Sequence, residues 1–230
     1  EDSLRIAPSF SLHDGQRFLL GTDDLGRDIL SRLIYGARIS LSIGVAVVSI
    51  SLFFGIILGL LSGYYGGKVD RVIMGMMDII MSLPSILLAI VVVAVLGPGI
   101  NNAIIAVSIV ALPGLTRIVR SSTMAESQKA YCLAAKSFGV SDVKIMFTEI
   151  LPNSMAPLIV QASLGLSDAI LNTASLGFLG LGAQAPLSEW GVMLADSRSY
   201  IESAPWLVFF PGICILLVVL GFNLLGDGLR

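Results

Sequence analysis

Five long apolar stretches, separated by shorter polar connections, dominate the pattern of hydrophobic and polar positions along the chain. Residues 39–67 contain no charged side chain, and a helix of that length crosses a hydrocarbon layer of about 30 Å. Each of the five stretches carries at most one charge, which predicts an all-α, polytopic transmembrane helical bundle. The predicted spans are residues 39–62, 72–96, 103 to about 116, 154–182 and 206–225.

The connections between these stretches predict how the helices are arranged. Residues 97–102 form an uncharged turn rich in glycine and asparagine, so the second and third helices should be antiparallel neighbours. Pro113 interrupts the third stretch, but a helix can kink at proline and continue. We therefore expect this helix to continue past Arg117 and Arg120 into water.

Basic residues in short connections predict the orientation, because they favour the cytoplasm. The connection 113–153 carries five of them, the connection near Lys68 and Arg71 is also basic, and parity places both on the same side. Residues 1–38 are then an extracytoplasmic segment leading into the core, although they hold five arginines beside six acidic residues. Residues 39–230 form the transmembrane domain, with 113–153 as its cytoplasmic loop. A sixth helix is expected upstream in the full protein.

Composition narrows the range of partners. Of 230 residues, 55% are apolar and 13% are charged, which soluble domains rarely match. The formal net charge is −2 and the basic residues form no long block, so no nucleic-acid partner is expected. Membrane lipid is the expected surrounding medium.

The loop 113–153 is too long for a tight turn and is patterned. Residues 131–138 interleave small, apolar and polar side chains and predict a short helix that ends at Gly139, where glycine tolerates a left-handed backbone. Residues 140–142 predict the start of a second short helix. Pattern alone leaves two alternatives open, a surface helix folded back on its own chain and a helix that binds a partner protein.

Several motifs resemble those of a known family. Ala134 and Ala135, followed by Gly139 and, after twelve intervening residues, Pro152, resemble the cytoplasmic signature of ABC importer permeases, although Leu133 stands where that signature has glutamate. Further stretches are similar to the peptide and nickel branch of the family: residues 20–28 (LGTDDLGRD), 36–41 (GARISL), 176–182 (LGFLGLG) and 189–191 (EWG). The resemblance covers nearly the whole chain and is greatest to the second permease subunit of dipeptide importers.

This resemblance implies the type I ABC importer permease fold in a bacterial cytoplasmic (inner) membrane. It implies import of dipeptides or short oligopeptides, with nickel, haem or glutathione as alternative cargoes. The implied partners are a second permease in a heterodimer, two ATP-binding cassette ATPase subunits and an extracytoplasmic substrate-binding protein. The chain has no phosphate-binding Gly-x-x-x-x-Gly-Lys-Ser/Thr loop, so ATP and magnesium are expected on the partner ATPase and no cofactor here.

The resemblance also implies a coupling helix in the loop 113–153. In the family this helix sits in a cleft of the ATPase subunit, and small side chains allow the close approach. The residues expected to contact the ATPase are Tyr131, Leu133, Ala134, Ala135, Lys136, Gly139 and Pro152.

Gly55, Gly59 and Gly63 share one face of the first helix at four-residue spacing. Small residues at this spacing allow a neighbouring backbone to approach closely in lipid, so we interpret them as a helix-packing face. The sequence leaves open whether the neighbour is another helix of this chain or the partner permease.

Asp168 lies near the middle of the fourth apolar stretch, with Gln161 and Asn172 as other polar groups on that helix. An aspartate facing lipid would cost about 2.5–3.5 kcal/mol, so its side chain should face protein or water. A translocation pathway and an internal structural pairing both remain possible. Asp78, near the start of its helix, is interpreted as interfacial.

Other function classes fit less well. Asp168 and Asp227 lack the Gly-x-Gly-Asp sequence of an intramembrane aspartic protease, and His13, the single histidine, precedes every helix, so no catalytic residues are assigned. A stand-alone channel or secondary carrier is the stronger rival, but no inverted repeat is visible. The segment 22–28 lacks calcium-ligand spacing, so Thr22 and Asp23 are expected to form a turn and cap a surface helix at 29–34, with no metal site.

Overall fold

The computed structural model describes residues 4–9, 12–13, 16–184 and 186–229, and helices make up most of this part of the chain. A short antiparallel hairpin of β1 (Leu12–His13) and β2 (Gln16–Arg17) precedes them. The helices are α1 (Ile29–Tyr65), α2 (Gly67–Met81), α3 (Ser85–Leu96), α4 (Ile100–Ser127), α5 (Ala130–Ser137), α6 (Asp142–Lys144), α7 (Leu151–Asn153), α8 (Met155–Phe178), α9 (Trp190–Ser197) and α10 (Trp206–Gly228). A π-helical turn, Ile145–Ile150, joins α6 to α7, and a 3-10 turn, Arg198–Tyr200, follows α9.

Helix α1 is continuous from the predicted surface helix through the first predicted span. Its N-cap is Asp28, whose carboxylate accepts the N–H of Ser31 at 2.8 Å, so the prediction that Thr22 and Asp23 cap this helix is wrong. Asp23 does form the expected turn, because its carboxylate accepts the N–H groups of Leu25 and Arg27. The first turn of α1, which includes Arg32, therefore extends the membrane helix toward the segment that precedes it.

The second predicted span, 72–96, is not one continuous helix. It divides into α2 and α3, which meet at an angle of 90° across a short break. Pro84 precedes α3, and because proline lacks an N–H and disfavours helical geometry in the residue before it, the helix ends ahead of Leu83. The continuous-helix prediction is therefore wrong at this proline.

Within the part of the chain that the structure describes, four helices, α1, α4, α8 and α10, are long and apolar enough to cross a membrane, and the bent pair of α2 and α3 counts as a fifth crossing if it forms one span. The prediction of an all-α polytopic bundle is confirmed. Helix α4 is 28 residues long and continues past Pro113, as expected for a helix that passes Arg117 and Arg120. We call the end of the bundle at which α1 begins the α9 end, and the opposite end the α5 end.

The polar connection at the α5 end folds as predicted. Helix α5 covers most of the segment 131–138 and ends before Gly139, whose φ of +77° is the left-handed conformation that the sequence required. Helix α6 begins at Asp142. Helices α5 and α6, joined by the turn at Gly139, therefore form a hairpin at this end, which we call the α5 hairpin.

Helix α9 was not predicted. Glu189 caps it, and Trp190, Val192 and Met193 bury one of its sides against α1, α8 and α10. Its eight residues are too few for a hydropathy window to detect, although an acidic cap before a short apolar run is a recognisable signal.

Candidate coupling surface and translocation cavity

Helix α5 lies on a buried apolar cluster that we call the α5-end core. Cys132 is buried in this core, and Tyr131 and Ala135 are half-buried against it. Two of the residues expected to contact an ATPase therefore face their own chain. The core consists of Leu60, Val119, Cys132, Ile145, Met146, Ile150 and Leu158.

The opposite side of α5 is open to solvent. Leu133, Ala134, Lys136 and Gly139 are exposed there, and Pro152 is exposed in α7. Phe138, at the end of α5, is 88% exposed, although exposure of a phenyl ring to water is unfavourable by about 2 kcal/mol. The sequence prediction omitted Phe138; the signal for it was a large apolar residue directly before the glycine that ends the helix.

Helix α5 is tied to α4 at its first turn. The hydroxyl of Tyr131 donates to the carboxylate of Glu126 at 2.5 Å, and Lys129 forms an ion pair with the same carboxylate at 2.7 Å. Burial and the hydrogen bond to Glu126 raise the pKa of Tyr131, so its hydroxyl keeps its proton and remains a donor at physiological pH. These bonds fix where α5 begins relative to the transmembrane helices.

The glycine face of α1 packs against α4 of the same chain, which answers the question that the sequence left open. A β-carbon added at any of the three glycines would come within 3.0 Å of α4 atoms, closer than normal van der Waals contact. The nearest atoms are Leu115 Cβ to Gly55 at 3.0 Å, Val119 Cβ to Gly59 at 2.5 Å and the Arg120 carbonyl oxygen to Gly63 at 2.6 Å.

Asp168, Gln161 and Asn172 line one cavity of about 360 Å³. Their spacing along α8 places them on one helix face, and the amide of Asn172 donates to the backbone carbonyl of Asp168 at 2.8 Å. The other walls come from α1, from both sides of the α2–α3 break and from the proline region of α4. Those walls include Val48, Ser51, Met81, Ser85, Pro113 and Gly114.

The carboxylate of Asp168 is exposed to this cavity. It is the single ionisable side chain among the described residues that line the cavity, and it forms no ion pair with the described part of the chain. The structure therefore brings Asp168, Gln161 and Asn172 together and leaves the carboxylate available to a cation. Internal pairing, the other alternative from sequence, does not occur among the described residues.

Two ion pairs join α2 to α4. Asp78 accepts from Arg117 at 2.6 Å, and Asp70 forms a two-pronged pair with Arg120 at 2.5 and 2.6 Å. Asp78, which we interpreted as interfacial, is 64% exposed and Arg117 45%, so that pair contributes at most about 1 kcal/mol. The sequence did not predict either pairing.

The α9 end is held by a buried carboxylate. Glu189 is buried, and its oxygens accept the N–H groups of Gly191 and Val192 at 2.9 and 3.0 Å and the hydroxyl of Ser40 at 3.3 Å. Burial raises the pKa of Glu189, and these three hydrogen bonds oppose that shift. A β-carbon at Gly177 would lie 2.4 Å from the Glu189 carboxylate, so this α8 position requires glycine.

An ion-pair network ties the segment before α1 to the same end. Asp23 accepts from Arg27 at 2.6 Å and from Arg32 at 2.7 Å, and Arg32 also approaches Asp196 of α9 at 3.7 Å. Burial alone would raise the pKa of Asp23, but the hydrogen bonds from Arg27 and Leu25 outweigh it and the pKa is lowered. The carboxylate is therefore ionised at neutral pH and holds two arginines.

Comparison with known proteins identifies the family to which this chain is similar. Residues 55–230 match the family described as binding-protein-dependent transport system inner membrane component. The chain is 56% identical to the dipeptide transport system permease protein DppC of Alkalihalophilus pseudofirmus, over 91% of this chain and 69% of that protein. It is 55% identical to the di/tripeptide transport system permease protein DppC of Pseudomonas aeruginosa, over 100% of this chain and 76% of that protein.

A solved structure supports the same conclusion about the fold. A chain of the inward-facing MetNI methionine ABC transporter superposes with a TM-score of 0.66 at 18% identity, over 88% of this chain and 98% of that one. A binding-protein-dependent transport system implies ATPase and binding-protein partners. The helical crossings, the exposed α5 hairpin and the sequence identity agree, and the chain belongs to the family of inner membrane permease components of binding-protein-dependent ABC transporters.

Proposed function

We propose that this chain is one permease subunit of an ATP-driven importer of dipeptides and short oligopeptides. It forms a heterodimer with a second permease, binds two ATP-binding cassette ATPase subunits at its α5 end and receives cargo from a substrate-binding protein at its α9 end. The α5 end, including 113–153, then lies in the cytoplasm, and residues 1–38 lie outside. The chain itself performs no covalent chemistry, and ATP with magnesium binds to the ATPases.

The identity of at least 55% with two peptide permeases, along nearly the entire chain, is the observation that carries the proposed cargo. The cavity chemistry agrees with it. A peptide with a free amino terminus carries an ammonium group, and the carboxylate of Asp168 offers it a charge partner beside the amides of Gln161 and Asn172. Backbone amides of a short peptide also match the donor and acceptor groups of these two side chains.

The exposed face of α5 supports an ATPase contact. Leu133, Ala134 and Phe138 present apolar surface that none of the described helices covers, and Lys136 adds a charge at the rim. An aromatic anchor surrounded by smaller side chains is the usual composition of an interface hot spot. In this proposal the inner face of α5, with Tyr131 and Ala135, transmits movement to the transmembrane helices. The helix folded back on its own chain and the helix that binds a partner are then two faces of one element.

Coupling follows from differential binding. ATP binding brings the two ATPases together, and the α5 hairpins of both permeases move with them. The cavity lined by Asp168 then opens to the other side of the membrane. The energy comes from the difference in ATPase contacts between the two states, because a ligand shifts an equilibrium only by its differential affinity.

Competition for uptake tests the cargo. Proteoliposomes that hold the whole complex are given a labelled dipeptide, the binding protein and ATP, and unlabelled tripeptide, glutathione, haem or Ni²⁺ is then added in excess. Peptide import predicts that dipeptides and tripeptides compete, whereas glutathione, haem and Ni²⁺ do not. ATP-dependent uptake of one of those three, with no dipeptide uptake, would contradict the proposed cargo and retain the importer.

A further inference from the structure

The side chain of Tyr64, in the last turn of α1, contacts both arms of the α5 hairpin. Its hydroxyl donates to the carboxylate of Asp142, the first residue of α6, at 2.8 Å. On the other arm, the ammonium group of Lys136 lies 5.8 Å from the centre of the Tyr64 ring. Lys136 and Asp142 are each three residues from Gly139, so one side chain holds the two sides of the glycine turn.

Helix α1 connects this contact to the rest of the molecule. Gly59 packs closely against α4, and Val48 and Ser51, further along α1, line the cavity. At the α9 end, the backbone carbonyl of Leu33 accepts the indole N–H of Trp190 at 3.1 Å. A displacement of the last turn of α1 therefore reaches the cavity wall and helix α9 through one continuous helix.

We infer that Tyr64 is a positioning residue that transmits movement of the α5 hairpin to α1, through its hydrogen bond to Asp142. The inference rests on the proposed coupling function of that hairpin. The Tyr131–Glu126 bond attaches the same hairpin to α4, so two tyrosine–carboxylate bonds join it to two different transmembrane helices. The Tyr64 bond is the one that reaches α1.

The hydroxyl, as distinct from the ring, is what this role requires. The ring packs against the α5-end core and would do so equally as phenylalanine. A hydrogen bond to a charged acceptor shifts an equilibrium by roughly tenfold, and it is directional, so the ends of α1 and α6 move together. Without the bond the hairpin retains its apolar contact but slides relative to α1.

Tyr65 provides a matched control. It is the next residue on α1, its ring lies edge-on to that of Tyr64, and its hydroxyl forms no hydrogen bond within the described part of the chain. Tyr64→Phe and Tyr65→Phe therefore remove the same atom from adjacent positions. Asp142→Ala and the double variant Tyr64→Phe with Asp142→Ala complete a double-mutant cycle.

The experiment measures dipeptide molecules imported per ATP hydrolysed by the whole complex, at equal amounts of assembled transporter. Tyr64→Phe is expected to lower this ratio about 3- to 10-fold, Tyr65→Phe to leave it within error, and the double variant to match the more affected single variant. A ratio unchanged in Tyr64→Phe, or a loss of assembled complex with an unchanged ratio, would overturn the inference.

Amide hydrogen exchange gives a second readout that does not depend on the cargo. Amides of residues 139–144 are expected to exchange several-fold faster in Tyr64→Phe and at the wild-type rate in Tyr65→Phe. Equal exchange in both variants would contradict the link between α1 and the hairpin. Failure of the wild-type complex to import dipeptide, by contrast, would contradict the proposed cargo and leave the exchange comparison decisive for Tyr64.

Discussion

The close packing of α1 on α4 makes Gly59→Ala an informative perturbation. The added methyl group would lie 2.5 Å from Val119 Cβ and 2.8 Å from the carbonyl oxygen of Thr116, whereas carbon atoms in normal contact are about 3.5–4.0 Å apart. Helix α1 must therefore move away from α4 by about 1 Å. Overpacking of this kind costs about 1–3 kcal/mol, and the carbonyl belongs to rigid helical backbone, so little relaxation is available.

Gly75→Ala is the matched control, because a β-carbon built at Gly75 in α2 has no atom within 4 Å apart from its chain neighbours and the adjacent backbone of its own helix. The assay is thermal unfolding of the assembled complex in lipid nanodiscs. We expect Gly59→Ala to lower the unfolding temperature, Gly55→Ala, with its 3.0 Å contact, to lower it less, and Gly75→Ala to leave it unchanged or slightly raised. Equal stability of the Gly59 and Gly75 variants would refute the reasoning that α1 and α4 are in tight contact.

Three further predictions concern the coupling turn, the cavity and the α9 end. Gly139→Val forces a β-branched residue to φ +77°, at a cost of about 1–3 kcal/mol, and should lower the number of dipeptides imported per ATP. Gly139→Asn should retain most of that ratio, because asparagine tolerates the left-handed region. Equal ratios in the two variants would contradict a requirement for the left-handed turn at residue 139. Asp168→Asn should slow dipeptide uptake by about 10-fold or more. Asp78→Asn, outside the cavity, should change uptake by less than about twofold. Similar uptake rates in the two variants would exclude a role for the charge of Asp168. Because the pKa of Asp23 is lowered, its ion pairs stabilise the fold above about pH 4 and lose that effect as the pH falls through the lowered value. Asp23→Asn should destabilise by about 3 kcal/mol at pH 7 and flatten this acid dependence, as thermal unfolding across pH would show.

Hydropathy was sufficient for the membrane crossings and insufficient for their shape. A bilayer requires long apolar helices, so the stretches that became α1, α4, α8 and α10 were identifiable without any tertiary information. The 90° break before Pro84 was not, because residues 72–96 form one stretch with a single charge, Asp78, and hydropathy alone does not show where a helix bends. The surface helix predicted to begin at residue 29 is the start of α1, but its continuity with the first span was missed, because Arg32 and Arg38 interrupt the apolar pattern of residues 29–39.

The candidate site shows a similar division. The spacing of Gly55, Gly59 and Gly63 predicted a close helix contact, but the identity of the neighbour required the structure. Asp168 was identified by the cost of a charge in lipid, whereas its shared cavity with two amide side chains depends on how five helices meet. The bond from Tyr64 to Asp142 joins residues far apart in sequence, and no local pattern encodes it.

The proposed role of this chain is that of a permease subunit that couples ATP hydrolysis on partner subunits to peptide import. Uptake of a labelled dipeptide into proteoliposomes holding the whole complex, with ATP, the binding protein or the ATPase subunits omitted in turn, tests it most directly. The account predicts accumulation that requires all three components. Dipeptide uptake that persists without ATP or the ATPase subunits would contradict it and indicate a channel or secondary carrier.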